Sequence, residues 1–325
     1  MGVNGTLSKT KQNFFARFIN HIRSYTIRLI RDIRMHKGAY LLVLPVVAFY
    51  ILFCYKPMYG LLIAFKHYSP SKGIMGSSWA GLQYFEEFLK NPYFWRLMRN
   101  TLNISISNLL FTFPAPIILA LLLNEVKNKL FLRGAQMIMY IPHFISLVVI
   151  CGMIINFTDL DGIINDLLSV FGVERKAYLN YPQYFVPIYI ISAIWQGMGW
   201  NSIIYMAALT GIDTSLYEAA TIDGAGRWKQ TIHVTLPGIL PTVVIMLLMQ
   251  IGGLLSVGHE KVILLYNPLT YETADIISTY VYRKGLLEQN YSFSTAVGLF
   301  NSVISFILLI AANTISKRCG EGSLW

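Results

Sequence analysis

The chain has 325 residues, of which 55% are hydrophobic and only 13% are charged, with a net charge of +10 and a mean hydropathy of +0.52. Soluble globular domains carry about 25% charged residues, so this composition excludes an ordinary soluble domain and indicates many membrane spans. The basic excess does not indicate a nucleic-acid partner, because eight basic residues precede Gly38 instead of lying on a polar, foldable domain.

The N-terminal segment, residues 1–38, is basic. Within it, residues 12–35 repeat Phe and Ile at helical spacing with arginines between them. This pattern predicts an amphipathic helix on the anionic cytoplasmic leaflet of the membrane. A solvated tail that only fixes the topology is the alternative.

Six segments are apolar and long enough to cross a bilayer, which takes about 20 residues. They lie near 39–64, 101–123, 136–157, 183–209, 238–258 and 294–315. We therefore expect an all-α polytopic protein with a six-helix transmembrane domain over 39–318 and a short tail at 319–325. The basic N-terminal segment places both termini in the cytoplasm, so the connections at 124–135 and 210–237 are cytoplasmic as well.

Several spans contain groups that a simple membrane anchor does not need. Pro114, Pro116, Pro142 and Pro187 bend helices, and amide side chains at membrane depth are costly unless they face a bundle interior or a water-filled path. Any single amide could instead be an interhelical hydrogen-bond partner. Together these features predict a cavity, whose lining we expect to include Trp195, Gln196, Asn201, Gln250 and Ser256.

The sequence shows no motif for catalysis or metal binding. It has no GxxxxGK[ST], HExxH or GxSxG pattern, and its three cysteines, Cys54, Cys151 and Cys319, form no CxxC pair. We therefore expect neither a catalytic residue nor a metal or cofactor in this chain, and no P-loop with which it could itself hydrolyse ATP.

A hydrophilic segment at 210–237 separates the fourth and fifth spans. Asp213 or Thr214 can cap a helix there, Gly224 and Gly226 can end it, and "RWKQTIHVTL" can form a second short helix before Pro237 and Pro241. The sequence thus predicts two short helices on a glycine hinge, with small residues that let a partner surface approach closely.

This segment resembles the EAA loop of ABC-importer permease subunits, whose pattern is EAA, three residues, Gly, nine residues and Ile-x-Leu-Pro. Here the pattern reads Glu218-Ala219-Ala220, then Gly224, then Val234-Thr235-Leu236-Pro237, with Val in place of Ile. The stretches Phe53–Pro70, Ile251–Leu286 and Tyr291–Arg318 also look like the oligosaccharide branch of these permeases, including the alginate-importer type.

The resemblance implies a type I importer permease fold in the bacterial cytoplasmic membrane. It implies a second related permease subunit, two ATP-binding subunits and an external solute-binding protein as partners. It assigns ATPase coupling to the residues of the loop motif: Glu218, Ala219, Ala220, Asp223, Gly224, Leu236 and Pro237. An oligosaccharide is the expected substrate, and for an acidic one Lys56, Arg283 and Lys284 are candidate contacts.

Two alternatives remain open at this point. One is an ABC permease for a peptide or an amino acid, against which the Asp223-Gly224-Ala225 version of the loop argues. The other is a membrane scaffold or an intramembrane enzyme, against which the intact loop and the missing catalytic motifs argue.

Overall fold

The computed structural model describes residues 31–32, 35–318, 320 and 323–324. The amphipathic helix predicted over 12–35 therefore lies almost entirely outside the described residues, as does most of the tail at 319–325. By its internal contacts the chain divides into two compact units, 1–61 and 62–325, and each is described by itself.

The first unit consists, in its described part, of most of helix α1, Lys37–Phe65. The helix begins with α-helical geometry over Lys37–Phe49 and passes through a π-helical turn at Tyr50–Tyr55. Its large apolar side chains are exposed, Leu42 by 79%. Such a surface is stable only against lipid or another protein.

The second unit is helical apart from its loops and one isolated antiparallel bridge between Lys66 and Trp79. Its helices are α2 (Gly73–Gly76), α3 (Gln83–Leu89), α4 (Phe94–Asn124), α5 (Lys129–Phe144), α6 (Leu147–Thr158), α7 (Ile163–Ser169), α8 (Pro182–Thr210), α9 (Thr214–Ile222), α10 (Arg227–Gly252), α11 (His259–Leu265), α12 (Tyr271–Ala274), α13 (Ile277–Tyr282) and α14 (Tyr291–Arg318).

Five helical segments of the described chain are long and apolar enough to cross a membrane: Lys37–Phe65, Phe94–Asn124, Leu147–Ser169, Arg227–Gly252 and Tyr291–Arg318. Four of them agree with predicted spans, with shifted boundaries, and the fifth, Leu147–Ser169, overlaps only the second half of the predicted span at 136–157. The predicted fourth span forms the 29-residue helix α8, which falls outside this set because polar side chains interrupt its apolar sequence.

The predicted span at 136–157 is broken in the structure. Helix α5 ends at Phe144, and α6 starts at Leu147 after Ile145 takes an extended conformation. Pro142 weakens the last turn of α5 because it has no N–H to donate, and the Ser146 hydroxyl caps α6 by accepting a hydrogen bond from the Val149 N–H at 3.4 Å.

Helix α8 runs through the centre of the second unit and joins two of its hydrophobic cores. Near its start, Phe185 and Tyr189 pack with residues of α6 and α11. Near its end, Tyr205 packs with Ala120 of α4 and Ile239 of α10. The helix therefore fixes the positions of α4 and α10 relative to each other, and the polar cleft described below lies between them.

Candidate functional sites: a cytoplasmic helix and a polar cleft

Helix α9 lies in the predicted coupling segment and has well-defined ends. The Asp213 carboxylate accepts a hydrogen bond from the Ser215 N–H at 2.9 Å, and this bond keeps the pKa of Asp213 below its usual value. At the other end Gly224 has φ +75°, which glycine adopts without steric cost. The Ala225 N–H donates to the Ala220 carbonyl at 2.8 Å, which completes a Schellman cap.

The second short helix of the prediction is not a separate element. Gly226 has extended geometry and is the N-cap of α10, so it does not end α9, and α10 continues without a break from Arg227 to Gly252. A π-helical turn at Thr231–Thr235 ends two residues before Pro237. Because proline cannot donate the usual backbone hydrogen bond, this local change of helical geometry lets the helix pass through the position.

Two side chains connect α9 to the start of α10. The Tyr217 and Thr235 hydroxyl oxygens are 3.0 Å apart. The Gln230 amide donates to the Thr221 hydroxyl and to the Ala225 carbonyl, each at 3.0 Å. These contacts, which we call the α9 brace, join α9 to the first turns of α10.

The outward surface of this segment combines small and apolar side chains. Glu218 and Ala219 are exposed, and Ile222 and Trp228 are 86% and 75% exposed. Large apolar side chains at such exposure on a polar connection are typical of a surface that a partner protein covers.

A polar cleft opens between α4, α8 and α10. It consists of two cavities of about 230 and 250 Å³ that share Asn108 and Gln250 in their linings. Ser105 and Ser256 line the first cavity, and Thr112, Asn201 and Tyr205 line the second.

The polar groups of this cleft are partly unpaired. The buried Asn108 Oδ1 and Thr112 Oγ1 have no hydrogen-bond partner within the described part of the chain. Both residues belong to the π-helical turn Asn108–Thr112, which precedes Pro114. π-Turns within helices often occur at functional sites, and unpaired polar atoms lining a cavity suit a hydroxyl-rich ligand.

The structure brings three of the five predicted path residues to the cleft. Gln250 lines both cavities, Ser256 lines the first and Asn201 lines the second. Trp195 and Gln196 line neither cavity. The reason is helical rotation: Ala193, Asn201 and Tyr205 share one face of α8, and successive residues of a helix point about 100° apart. Trp195 and Gln196 both lie more than a third of a turn from the centre of this face, so both point away from it.

Sequence reasoning about the path left out Asn108, Thr112 and Tyr205. Asn108 had a visible signal, because it is an amide within a long apolar segment. Tyr205 could have been found from its spacing of four residues after Asn201. Thr112 carried no signal of its own, since a threonine hydroxyl in a helix normally bonds to a backbone carbonyl of the preceding turn.

The described residues contain no group of three His, Cys, Asp or Glu side chains placed to hold a metal ion. A larger groove of about 450 Å³ lies between α13 and α14, with His259, Tyr282, Tyr291 and Asn301 in its lining. It is separate from the polar cleft and shares none of its lining residues.

Long apolar helices around a polar cleft, with a capped and partly apolar helix outside them, define a multi-pass membrane protein of the transport class. Residues 112–320 match the family described as "Binding-protein-dependent transport system inner membrane component". The chain belongs to this family and is a permease component of an ABC importer in the inner membrane. The matched residues include α9 and most of the cleft.

Similarity to known proteins extends over nearly the whole chain. The Bacillus subtilis (strain 168) polygalacturonan/rhamnogalacturonan transport system permease protein YteP is 44% identical over 299 residues, 92% of this chain and 93% of that protein. A bacterial ABC transporter involved in the import of the acidic polysaccharide alginate contains a chain with 43% identity and a TM-score of 0.83, covering 90% of this chain and 99% of that one.

The alginate transporter has also been solved in complex with an alginate pentasaccharide-bound periplasmic protein. In that structure the similar chain is 42% identical, with a TM-score of 0.85, and the match covers 91% of this chain and 100% of that one.

Proposed function

We propose that this permease subunit imports an acidic oligosaccharide that a solute-binding protein delivers. The observation that carries the proposal is a sequence identity of 42–44% over nine-tenths of the chain to a polygalacturonan/rhamnogalacturonan permease and to a chain of an alginate transporter. Polymers of this kind contain uronic acids, so their fragments carry carboxylates as well as hydroxyls. The cleft of amide and hydroxyl groups around Asn108 and Gln250 suits the hydroxyls of such a ligand.

In this proposal the path runs along α4, α8 and α10. Asn201, Gln250 and Ser256 contribute polar groups to it, together with Asn108 and Thr112. Trp195 and Gln196, which lie outside the cleft in this conformation, are proposed to contact the sugar in another state of the transport cycle. A second related permease supplies the other half of the path.

Energy enters through α9 in this proposal. Two partner subunits bind and hydrolyse ATP with its Mg²⁺, and one of them receives α9 in a groove on its surface. Glu218 forms the polar anchor, Ala219 and Ala220 allow close approach, and Asp223 and Gly224 form the turn after the helix. Leu236 and Pro237 transmit the movement into α10, with the α9 brace as the physical link.

A transport assay tests the proposal. The complete importer, reconstituted with its ATP-binding subunits and binding protein, is given uronic-acid oligosaccharides and neutral oligosaccharides of the same length. We expect the acidic compounds to raise ATP hydrolysis and to be taken up at least tenfold faster than the neutral compounds. Equal responses would contradict the acidic substrate, and a response to amino acids or peptides alone would favour the alternative class of solute.

A further inference from the structure

Three arginine side chains meet at the segment 272–275, which follows the 3₁₀ turn Pro268–Thr270. Arg283 and Arg96 both bind the Asp275 carboxylate through their Nη2 atoms, at 2.7 and 3.3 Å. Arg99, one helical turn after Arg96 on α4, donates to the Glu272 carbonyl at 3.2 Å. We call Arg96, Arg99 and Arg283 the arginine cluster.

The Asp275 carboxylate does not neutralise this cluster. Asp275 is fully buried and also accepts a hydrogen bond from the Thr279 hydroxyl at 2.8 Å. Three guanidinium groups against this one carboxylate leave a net charge of +2, and counting the exposed Glu272 leaves +1. The Arg96 Nε is buried without a hydrogen-bond partner, so the cluster retains both charge and donor capacity.

Tyrosine rings surround these charges. The Arg96 guanidinium lies 4.6 Å from the Tyr93 ring centroid, and the Arg283 guanidinium lies 5.0 Å from that of Tyr271. Tyr93 is 49% exposed. Arginine is suited to bidentate recognition of carboxylates, and a tyrosine ring offers an apolar face and a hydroxyl to a sugar.

We propose that the arginine cluster is a binding site for the carboxylates of a uronic-acid oligosaccharide on its way to the polar cleft. This inference rests on the proposed function and on the predicted topology, which places residues 65–98 and 259–293 on the outer face. Arg99 and Arg96 contact the carboxylates of the ligand, and Tyr93 stacks on a sugar ring. Arg283 stays with Asp275 and positions the segment 272–275.

The test uses the complete importer in nanodiscs of phosphatidylcholine only, titrated with a uronic-acid trisaccharide without binding protein. The variants are Arg99→Gln, which removes an exposed guanidinium bonded to a backbone carbonyl, and Arg96→Gln. Arg175→Gln is the matched control, because Arg175 also lies in an outer segment and pairs with Asp166 at 2.7 Å. We expect each cluster variant to weaken binding about tenfold and the control to leave it unchanged.

A trisaccharide with its carboxylates reduced to alcohols separates charge recognition from a structural effect. We expect it to bind weakly to the unsubstituted importer and equally weakly to all variants. Unchanged uronate binding by both cluster variants, in an importer that does take up uronates, would overturn the site and leave the proposed function intact. Loss of binding when anionic phosphatidylglycerol is added would overturn it in favour of a lipid headgroup site. An importer that takes up no uronate contradicts the proposed function itself.

Discussion

The most unusual single residue of the second unit is Lys261, whose side chain is buried in α11 with only 6% exposure. Its ammonium group donates a hydrogen bond to the Tyr189 backbone carbonyl at 3.3 Å. It also lies 4.9 Å from the centroid of the Tyr189 ring. No carboxylate pairs with it among the described residues. Burial lowers the pKa of Lys261 to about 8, although the nearby Cys151 acts in the opposite direction.

This lowered pKa predicts a dependence of stability on pH. Between about 8 and 10.5 the unfolded chain binds the Lys261 proton while the folded chain does not, so stability rises with pH through this window. A shift of this size corresponds to about 3 kcal/mol. We expect Lys261→Met, which keeps the length and removes the charge, to raise the melting temperature at pH 7 and to flatten its rise towards pH 10.

The control for this prediction is Lys176→Met, which changes a lysine that is 38% exposed beside Glu174. Melting curves of the purified complex between pH 7 and pH 10 provide the measurement. If Lys261→Met and the unsubstituted chain show the same pH slope, the buried ammonium does not limit stability.

Single residues were predictable from the sequence where their role depends on local geometry. Asp213 caps α9 and Gly224 closes it, because a cap and a left-handed turn involve only neighbours within a few positions. The position of Trp195 was not predictable in the same way, since it depends on how α8 is rotated about its axis. That rotation is set by packing, as at Gly199, where a Cβ atom would lie 2.0 Å from the Met139 carbonyl oxygen.

At the scale of the element, hydrophobic pattern predicted where most helices lie but not where they are interrupted. The pattern at 136–157 is continuous, whereas the structure breaks between α5 and α6. In α10 the sequence suggests interruptions that the structure does not have. Gly226, Pro237 and Pro241 each suggest a helix boundary, but only Gly226 lies at the end of the helix. Proline is tolerated when a π-turn or a membrane environment accommodates the missing hydrogen bond, and the sequence alone does not distinguish these cases.

The α9 brace provides the prediction at this scale. Tyr217→Phe combined with Gln230→Leu removes the Tyr217–Thr235 contact and both bonds that the Gln230 amide donates, to Thr221 and to Ala225. Each hydrogen bond contributes about 1 kcal/mol, so the three lost bonds correspond to about 3 kcal/mol, and we expect backbone amides of 214–222 to exchange roughly 100-fold faster. The proposed coupling role of α9 further predicts that fewer solute molecules are imported per ATP hydrolysed.

Hydrogen-exchange mass spectrometry and a ratio of uptake to ATP hydrolysis measure these two effects. Thr231→Val is the matched control, because it removes the Thr231–Arg227 hydrogen bond within the start of α10 and leaves α9 untouched. Faster exchange with an unchanged transport ratio would show that the brace stabilises α9 without transmitting its movement.

At the scale of the whole chain, the number of crossings decides which surfaces meet which partners. Helix α8 is the element on which the count depends. Its 29 residues span about 43 Å, more than the roughly 30 Å of a hydrocarbon core. Its lower hydropathy comes from a few polar residues, among them Gln196, Asn201 and Ser202, and Asn201 lines the polar cleft. We therefore expect α8 to cross the membrane as the fourth of six spans.

Two exposed positions on either side of α8 test this count. Six crossings place Ile222, which is 86% exposed, in the cytoplasm and Phe171, which is 83% exposed, outside. Without the crossing of α8 the two positions lie on the same side. In a chain without its own cysteines, we expect Phe171→Cys to react with an impermeant maleimide added to whole cells. We expect Ile222→Cys to react only after the membrane is opened.

The same experiment bears on α9, because a partner ATPase can reach this helix only from the cytoplasm. Expression without the ATP-binding subunits gives the reference, and their addition should protect Ile222→Cys from the maleimide in opened membranes while Phe171→Cys stays reactive. Labelling of Ile222→Cys in intact cells would contradict both the six-span topology and the coupling role of α9, since one surface cannot face the medium and bind a cytoplasmic subunit. Protection at Ile222 combined with labelling at Phe171 would place the coupling surface and the outer loops on opposite sides of the membrane, as ATP-driven import requires.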